Sequence, residues 1–364
     1  MTASSSSTGA ASVCGDGQHD RGELCFGDLI SISDIGDSPA GFAVADLNGD
    51  GHLDLAVAVV GSASVAVLYG DGTGAMTLGQ SILSGFQPRG VAIADLDNNG
   101  ELDLAVANLG TDYVAVYPQT EGVFGTQQPE AAGDRPRAVA IGDLDDDGDL
   151  DMVVAAEASG TLEVLLGDGA GMFASAVAYE TGPQPYDVAL ADLDGDGVLD
   201  AVTADYGGTT VSVLFGVGDG TFLAASPETV ASQPRSVAVV DFDEDGTLDV
   251  LAPSADAQVV SLLFGQDKGA FGPFIPLPVG QGPYVSTVAD MDADGRVDLV
   301  SVAQAAGALS IVVPAEDGTF AETEIFVGLS PLALVVADFN EDGSPDVAVT
   351  DSLGGTVSVL PSDP

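Results

Sequence analysis

Residues 192–200 read DLDGDGVLD, and six further stretches of the chain repeat this pattern with small changes. Each copy has Asp at the first and ninth positions, Asp or Asn at the third and fifth, and Gly at the sixth. Successive copies start 48 or 49 residues apart, at Asp46, Asp95, Asp143, Asp192, Asp241, Asp290 and Asp338. A hard cation such as calcium needs six or more oxygen ligands around a sharp turn, which this pattern supplies. The sequence therefore predicts a sevenfold repeat of a calcium loop.

Comparison of the seven copies indicates which positions would contact the metal. Positions one, three, five and nine are acidic or amide in every copy, whereas position seven varies without a shared chemistry and is expected to offer its backbone carbonyl. The Gly at position six fits a backbone conformation that a side chain would obstruct. The predicted ligands, loop by loop, are Asp46, Asn48, Asp50, His52 and Asp54; Asp95, Asp97, Asn99, Glu101 and Asp103; Asp143, Asp145, Asp147, Asp149 and Asp151; Asp192, Asp194, Asp196, Val198 and Asp200; Asp241, Asp243, Asp245, Thr247 and Asp249; Asp290, Asp292, Asp294, Arg296 and Asp298; and Asp338, Asn340, Asp342, Ser344 and Asp346.

Two other interpretations of the motif were weighed. An EF-hand loop needs Glu at position twelve and flanking helices, but the twelfth residue is Val57 in the first copy and Val106 in the second. The flanks, such as residues 90–94 and 104–107, are short runs of Val, Ala and Leu that are typical of strands. An Asp-Gly turn that only caps a hairpin is the simpler alternative. Recurrence of the same four acidic or amide positions disfavours it.

The repeat length predicts a β-propeller. A period of about 49 residues with four strand-like runs lies in the range of propeller blades. In the fourth unit the runs are residues 187–191, 201–204 and 210–215, followed by the segment after Phe222. The predicted fold is all-β, a seven-bladed β-propeller with a calcium loop in each blade.

The last repeat lacks a fourth strand of its own. It stops at residues 357–360, without the Asp-Gly turn and Phe-led strand of the other units. Residues 26–35, at the other end of the chain, match the corresponding segment 271–279 of an internal unit. We therefore expect the N-terminal strand to complete the last blade and close the ring. Residues 26–364 would form one propeller domain, preceded in residues 1–25 by a flexible tether and a Cys-containing element.

This organisation resembles the FG-GAP/VCBS repeats of integrin α-subunit heads and many bacterial surface proteins. The resemblance covers residues from about 26 to 361, and the loops carry most of it. The Phe-Gly pair that names the family is clear at Phe124-Gly125 and Phe271-Gly272. The resemblance implies a calcium loop between the first and second strands of each blade, and so about seven bound Ca²⁺ ions.

The only two cysteines, Cys14 and Cys25, lie close together before the first repeat. Their segment is similar to the Cys-Gly-Asp-Gly…Gly-Glu-x-Cys element of secreted proteins of myxobacteria and their relatives. An even pair this close predicts a disulfide and an oxidising compartment, with two unpaired thiols as the alternative. The protein is therefore expected to be secreted or displayed at the cell surface.

Composition excludes several classes of partner. With 57 acidic and 7 basic residues the formal net charge is -50, although 46% hydrophobic residues argue against a disordered acidic tail. Such a surface disfavours nucleic acid and anionic membranes, and no apolar run suggests a membrane span. We expect a monomer whose partner is a glycan or a protein.

One column of the repeat gathers basic and aromatic residues. The position after the Pro that opens a blade holds Arg89, Arg137, Tyr186, Arg235 and Tyr284, with Ala40 and Leu332 in two other units. In a propeller the first strand lines the central channel, so these side chains are predicted to ring its mouth on the face opposite the metals. Arg suits carboxylates and Tyr offers an amphipathic face, which favours an anionic or sugar ligand. Alternatively, each Arg pairs with a carboxylate on an adjacent loop, such as Glu157 or Asp205, and only fixes the loops.

Catalytic chemistry has little support in the sequence. The two histidines are His19, in the tether, and His52, at a backbone-ligand position, which argues against a His-based triad or a His-ligated transition metal. We expect a calcium-binding propeller that acts as a binding or adhesion module and is not an enzyme. Two alternatives stay open. One is a polysaccharide-active enzyme of the lyase or dehydratase kind, with Tyr186, Tyr284 and Arg137 as candidates; the other is a scaffold whose only chemistry is calcium.

Overall fold

The computed structural model describes residues 24–315 and 319–362. Within these ranges the chain forms seven four-stranded sheets, here called blades 1 to 7 in chain order, counted from the first strand that begins at Pro39. Neighbouring strands of a blade are antiparallel, and the first strands of successive blades contact one another around a ring that returns from blade 7 to blade 1. The predicted seven-bladed all-β propeller is confirmed.

In each blade the strands lie side by side in the order first to fourth. The first strands are Pro39–Ala45, Pro88–Ala94, Pro136–Gly142, Pro185–Ala191, Ala238–Val240, Pro283–Ala289 and Pro331–Ala337. The second strands are Asp54–Val59, Asp103–Asn108, Asp151–Ala156, Asp200–Asp205, Asp249–Ser254, Asp298–Ala303 and Asp346–Asp351. The third strands are Ser64–Gly70, Tyr113–Tyr117, Thr161–Leu165, Thr210–Leu214, Val259–Leu263, Ala308–Pro314 and Thr356–Leu360. The fourth strands are Met76–Leu83, Gln128–Ala131, Val177–Glu180, Ser226–Thr229, Ile275–Pro278, Phe320–Phe326 and, in blade 7, Ile30–Ile32.

Two short hairpins and one 3-10 turn interrupt the links between third and fourth strands. The hairpins pair Gln119–Thr120 with Val123–Phe124 in blade 2, and Gly265–Gln266 with Ala270–Phe271 in blade 5. The 3-10 turn is Asp267–Gly269.

The hydrophobic core lies between the blades rather than within one layer. Every residue of every second strand is buried, because a neighbouring sheet covers each of its faces. In one such cluster Val65 and Val67 of blade 1 pack against Leu104 and Val106 of blade 2. Corresponding clusters occupy the other junctions around the ring. Burying one Val or Leu side chain stabilises the folded protein by about 1.5–3 kcal/mol relative to leaving it exposed. A blade on its own would expose these side chains, so each blade is stable only when packed against its neighbours.

The N-terminal strand closes the ring, as predicted. Ile30 pairs with Val359 and Ile32 with Val357, so that the strand forms the outer edge of blade 7. Ser31 Oγ lies 2.8 Å from Ser358 Oγ across this pair. The strand is shorter than the predicted segment 26–35, but both ends of that segment are anchored: Phe26 is buried between blades 6 and 7, and Ile35 between blades 7 and 1.

Two predictions about the N-terminal region lie outside the described residues. The tether falls in residues 1–23, and so does Cys14 of the predicted Cys14–Cys25 disulfide. Cys25 itself is described and is buried. The disulfide and the domain boundary at residue 25 therefore stay predictions. In the described ranges no helix has the length and apolar character needed to cross a membrane.

Candidate functional site

Each predicted calcium loop connects the first and second strands of its blade and is held by its own side chains. In all seven loops the position-one Asp accepts the N–H of the position-six Gly at 2.9–3.0 Å. The position-five side chain accepts the N–H of position seven at 2.7–2.9 Å. The Gly has φ between 87° and 94°, and the space where a Cβ would lie is open. Glycine is therefore required by the positive φ and not by a steric clash with a neighbour.

The Asp at position nine ties each loop to its blade. It opens the second strand, is buried in every blade, and accepts the N–H of position two through Oδ2 at 2.8–2.9 Å. In six blades its Oδ1 also accepts an N–H from just beyond or at the end of the third strand, at 2.7–2.9 Å. The sequence pattern predicted a metal ligand at this position but not this second role.

Blade 6 breaks the position-nine pattern. The residue that would supply the second N–H is Pro314, which has none, and Asp298 Oδ1 is buried without a hydrogen-bond partner among the described residues. Burial raises the pKa of Asp298 to about 7. For Asp103, Asp200 and Asp346, which have both N–H partners, burial raises the pKa to about 6. A buried carboxylate with an unused oxygen is costly unless a cation or a proton meets it.

The loops gather carboxylates closely enough to hold a metal ion. In five loops of the described chain, one oxygen from each of three Asp residues lies within 4.8 Å of the others; the groups are Asp95, Asp97 and Asp103; Asp143, Asp145 and Asp151; Asp192, Asp194 and Asp200; Asp241, Asp243 and Asp245; and Asp290, Asp292 and Asp294. In the first and seventh loops position three is Asn, and its amide donates to the position-five Asp at 2.9 Å and 2.8 Å. Those two loops, and the second loop with Asn99 at position five, therefore offer three carboxylates at positions one, three, five and nine instead of four.

The third loop offers a direct test of whether the residues fit a cation. Asp143 Oδ1 and Asp145 Oδ1 are both buried and have no hydrogen-bond partner among the described residues. Burial, and to a lesser extent repulsion from Asp147, raises the pKa of Asp145. Unpartnered oxygens facing a shared centre are what a hard divalent cation would coordinate, so the donor set fits calcium. The thirty-five predicted ligands keep their assignment as predictions.

The sixth loop contains a cation of its own. Arg296 at position seven donates to Asp294 Oδ2 at position five, through Nη2 at 2.5 Å and Nε at 3.0 Å. A guanidinium here competes with a metal for the same carboxylate. Loop 6 is therefore expected to hold calcium less tightly than loops 3 to 5.

The other ends of the first strands meet at what we call the channel mouth. All seven residues of the predicted column line one cavity of about 130 Å³: Ala40, Arg89, Arg137, Tyr186, Arg235, Tyr284 and Leu332. Several of these side chains also line a wider bowl of about 510 Å³, to which Arg135 and the polar side chains of Gln87, Gln304 and Ser330 contribute. The structure brings the predicted residues together, while their role in binding stays a prediction.

Arg137 is fixed by three neighbours at the channel mouth. Its Nη1 lies 3.4 Å from Glu157 Oε2, and its Nη2 donates to the Tyr284 hydroxyl at 3.0 Å. Its guanidinium carbon lies 3.7 Å from the centroid of the Tyr186 ring. Glu157 also pairs with Arg135, whose Nη2 lies 3.2 Å from Oε1. Arg137 and Glu157 therefore form the kind of ion pair expected if the arginines only fix neighbouring loops.

Asp205, the other carboxylate proposed as an arginine partner, has a different role. Its oxygens accept hydrogen bonds from the hydroxyls of Thr203, Thr210 and Ser212 at 2.8–2.9 Å. It is fully buried and makes no ion pair with an arginine in the described structure. The expectation for Asp205 is therefore wrong, because buried hydroxyls of its own blade satisfy the carboxylate.

The face of Tyr186, expected to be available to a sugar, is covered. Tyr206 stacks on it with ring centroids 4.0 Å apart and an interplanar angle of 9°. Arg137 lies over the same ring at 3.7 Å, and the two contacts can coexist only on opposite faces. Tyr186 therefore has no free ring face on which a sugar could stack.

Arg89 and Arg235 differ from Arg137. The Nε atom of each is buried without a hydrogen-bond partner, and no carboxylate of the described residues lies within 4.0 Å of either guanidinium. Burial, and to a lesser extent repulsion from Arg137, lowers the pKa of Arg89. Arg235 lies 4.9 Å and 5.1 Å from the ring centroids of Tyr206 and Tyr284. Both arginines line the cavity, and the Nε atom of each lacks a hydrogen-bond partner among the described residues.

Sequence reasoning missed three residues of the channel mouth: Arg135, Tyr206 and Asp187. Arg135 directly precedes the Pro that opens its blade, and Tyr206 occupies the repeat position of Glu157, so aligning the columns beside the chosen one would have found both. Asp187 follows Tyr186 and accepts the N–H groups of Val188 and Val237 at 3.0 Å and 3.1 Å. Enclosure by the surrounding strands raises its pKa to about 6.

A family model described as FG-GAP-like repeat matches residues 46–106, 95–154, 143–203, 199–252 and 290–349. All seven loops fall inside these stretches. Comparison with curated proteins finds no matching sequence.

Solved structures similar to the chain share its fold at low identity. Hydrazine synthase of Kuenenia stuttgartiensis has a TM-score of 0.63 and 15% identity, covering 94% of this chain and 97% of that one. The BBS1N chain from a complex with ARL6DN has a TM-score of 0.63 and 14% identity, with 92% and 96% covered. A functionally unknown protein from Desulfotomaculum acetoxidans has a TM-score of 0.57 and 13% identity, with 86% and 89% covered. At such identities the likeness shows the fold alone.

Proposed function

The chain belongs to the FG-GAP-like repeat family, and from this premise we propose that it is an extracellular, calcium-stabilised binding module that recognises its ligand at the channel mouth. In this proposal the seven loops hold calcium and keep the blades in register. The opposite face carries the recognition site. The protein acts by binding, in adhesion or capture, and not by catalysis.

The distribution of positive charge carries the proposal. Four of the seven basic residues of the chain, Arg89, Arg135, Arg137 and Arg235, lie at the channel mouth. The rest of the molecule is strongly acidic, with a formal net charge of -50 overall. Clustering like charges costs energy unless something opposes it, and the four arginines outnumber the two carboxylates at the mouth, Glu157 and Asp187, so the mouth attracts an anionic ligand. A structural role accounts for Arg137 but leaves Arg89 and Arg235 without a carboxylate partner and with an unpartnered Nε atom.

Calcium is supported by the energetics of the loops. Burial raises the pKa of the position-nine Asp residues, which means that the ionised carboxylates are unfavourable in the protein alone. A bound divalent cation would offset this cost, and the flexible oxygen-rich loops suit calcium better than the strictly octahedral magnesium. The extracellular location is supported by the cysteine pair and by the family, whose calcium sites suit a compartment rich in that ion.

The scaffold alternative has one specific observation in its favour. Glu157 pairs with both Arg135 and Arg137, so part of the positive charge holds the loops of blade 3 together. The enzyme alternative has less support. Among the described residues lining the mouth, Asp187 is occupied by two backbone N–H groups, and Glu157 by two arginines. Neither is placed as a general acid or base.

An array of glycans and peptides, probed in calcium buffer, tests the proposal. We expect wild-type protein to bind a subset of the array, and a variant with Arg89→Ala, Arg137→Ala and Arg235→Ala to lose those signals while it still melts cooperatively. Binding that survives in a folded triple variant would contradict a site at the mouth. A large loss of melting temperature with intact binding would favour the scaffold.

A further inference from the structure

We propose that the channel mouth binds a single oxyanion group, a carboxylate or a sulfate, between Arg89 and Arg235. This inference rests on the proposed function and specifies the chemistry of its ligand. It follows from three properties of the mouth: which guanidinium groups are unused, how much room lies between them, and how charge is distributed beyond them.

The unused donors decide which arginines bind. Arg137 has only 13% of its side chain exposed and is occupied by Glu157, Tyr186 and Tyr284. Arg89 and Arg235 both line the same 130 Å³ cavity, and the buried Nε of each has no partner in the described chain. A buried N–H donor without an acceptor carries a free-energy cost, which is larger when the group is charged. An oxyanion accepts from both guanidinium groups and removes that cost.

The size and walls of the cavity restrict the group that enters. A volume of about 130 Å³ suits a few heavy atoms rather than an oligosaccharide. Of the two tyrosines that line the cavity, Tyr186 already has Tyr206 and Arg137 on its two faces, and Tyr284 has the Arg235 guanidinium 5.1 Å from its ring centroid. Directed hydrogen bonds, not stacking, are therefore the available recognition chemistry. A compact acceptor with two or more oxygens meets that requirement.

Charge beyond the mouth excludes a long polyanion. Salt screens charges over roughly 8 Å at physiological ionic strength, so a single group in the cavity responds mainly to the charges at the mouth, which are four arginines against Glu157 and Asp187. A polymer that continues past the bowl meets exposed carboxylates on the turns beside the mouth strands, among them Asp37, Asp112 and Asp134. The repulsion along its length opposes binding. The ligand is therefore an oxyanion on a small or otherwise uncharged molecule.

Calorimetric titration in calcium buffer at constant ionic strength tests this inference. The probes are sodium acetate and sodium sulfate, with acetamide as the neutral match for acetate. We expect saturable binding of both anions with a Kd in the millimolar range or tighter, and at least a tenfold preference for acetate over acetamide. Two further arms, glucuronate and a tripeptide with a free C-terminal carboxylate, show whether a sugar or a peptide carries the group; an amidated tripeptide is the control.

Matched variants locate the site. Arg89→Gln with Arg235→Gln should weaken anion binding by at least about tenfold, because two charged donors are removed. Lys268→Gln removes a positive charge from the turn Asp267–Gly269, outside both cavities, and should change affinity by less than about threefold. If the Gln double variant does not fold, Arg89→Lys with Arg235→Lys keeps the charge and removes the fork, and should still weaken binding.

Three results would overturn the inference. Absence of saturable anion binding in folded wild-type protein would do so directly. Equal binding by wild type and the double variant would indicate an adventitious ion only. Array ligands that are neutral, yet lost in the triple alanine variant, would leave the binding module standing while excluding an oxyanion as its ligand.

Discussion

Arg137 stacks on Tyr186, with its guanidinium carbon 3.7 Å from the ring centroid, and this contact separates it from the two other arginines in the same column of the repeat. The three residues are equivalent in the sequence, since each follows the Pro that opens a blade. In the structure one is held by an ion pair, a hydroxyl and a ring, whereas Arg89 and Arg235 keep unpartnered nitrogens. Equivalent positions in a repeat therefore differ in whether their arginine is held by neighbouring side chains or keeps an unpartnered nitrogen.

The ring closure gives the first prediction. Deleting residues 1–35 removes the strand Ile30–Ile32 and the buried side chains of Phe26 and Ile35. Losing one buried Phe alone costs about 3–5 kcal/mol, so the truncated protein should melt far lower, or aggregate through the exposed edge of blade 7. Deleting residues 1–12 is the control and should leave the melting curve nearly unchanged. Similar curves for both truncations, measured by circular dichroism, would contradict the closure.

A second prediction concerns the missing hydrogen bond in blade 6. Pro314→Ala supplies the N–H that the other blades donate to their position-nine Asp, here Asp298. A hydrogen bond to a charged group adds about 1.5–3 kcal/mol to the free energy of unfolding. Replacing Pro by Ala lowers that free energy by about 0.4–1 kcal/mol, because the unfolded chain gains conformational freedom. Chemical unfolding should therefore show a gain of roughly 1–2 kcal/mol. Pro314→Ala in an Asp298→Asn background is the control. An equal effect in both backgrounds would mean that the N–H does not reach the carboxylate.

The sixth loop gives a third prediction. Arg296→Thr places the residue of the fifth loop, Thr247, at position seven and frees Asp294 from its ion pair. Removing this competing cation should tighten calcium binding at the loop by several-fold, which corresponds to an ion pair worth up to about 1 kcal/mol. Calcium titration by calorimetry would resolve the change as a shift of one site. Unchanged isotherms would show that Arg296 swings aside when the metal binds.

Asp187 predicts a pH dependence. Its folded-state pKa of about 6 lies above the ordinary value of 3.8, so the folded protein holds the proton more tightly than the unfolded chain. The stabilisation that this proton provides is complete below the unfolded pKa and is lost as pH rises through about 6. Wild type should therefore lose stability relative to Asp187→Asn between about pH 4 and pH 7. The measurement is denaturant unfolding across this range in calcium. Parallel pH curves for the two proteins would refute the assignment.

Much of the fold was accessible from the sequence because the same physical requirement recurs seven times. The Gly at position six of each loop adopts the positive φ that the pattern demanded, and the missing strand of blade 7 was identified from its absence in the last unit. The column that forms the channel mouth was found the same way. Seven copies of one pattern show which positions are constant, so the elements that every repeat shares can be predicted from the sequence.

Features that belong to one repeat were not accessible. Arg137 pairs with Glu157, whereas Asp205 accepts hydrogen bonds from three hydroxyls. This difference depends on side-chain packing within each blade, which the repeat pattern does not specify. The stack of Tyr206 on Tyr186 joins two columns that the sequence places twenty residues apart. These contacts decide which arginines are available, and they arise from differences between blades rather than from what the blades share.

Calcium-dependent thermal unfolding tests the central claim that the loops are metal sites on which the propeller depends. The protein would be stripped with a chelator, metal removal verified by elemental analysis, and melting followed with and without added calcium, with magnesium as the matched control. We predict a fall in the midpoint of tens of degrees on removal, recovery with calcium, and weak recovery with magnesium, because ligands that bind only the folded state stabilise it by mass action. An unchanged midpoint in verified metal-free protein would contradict the account.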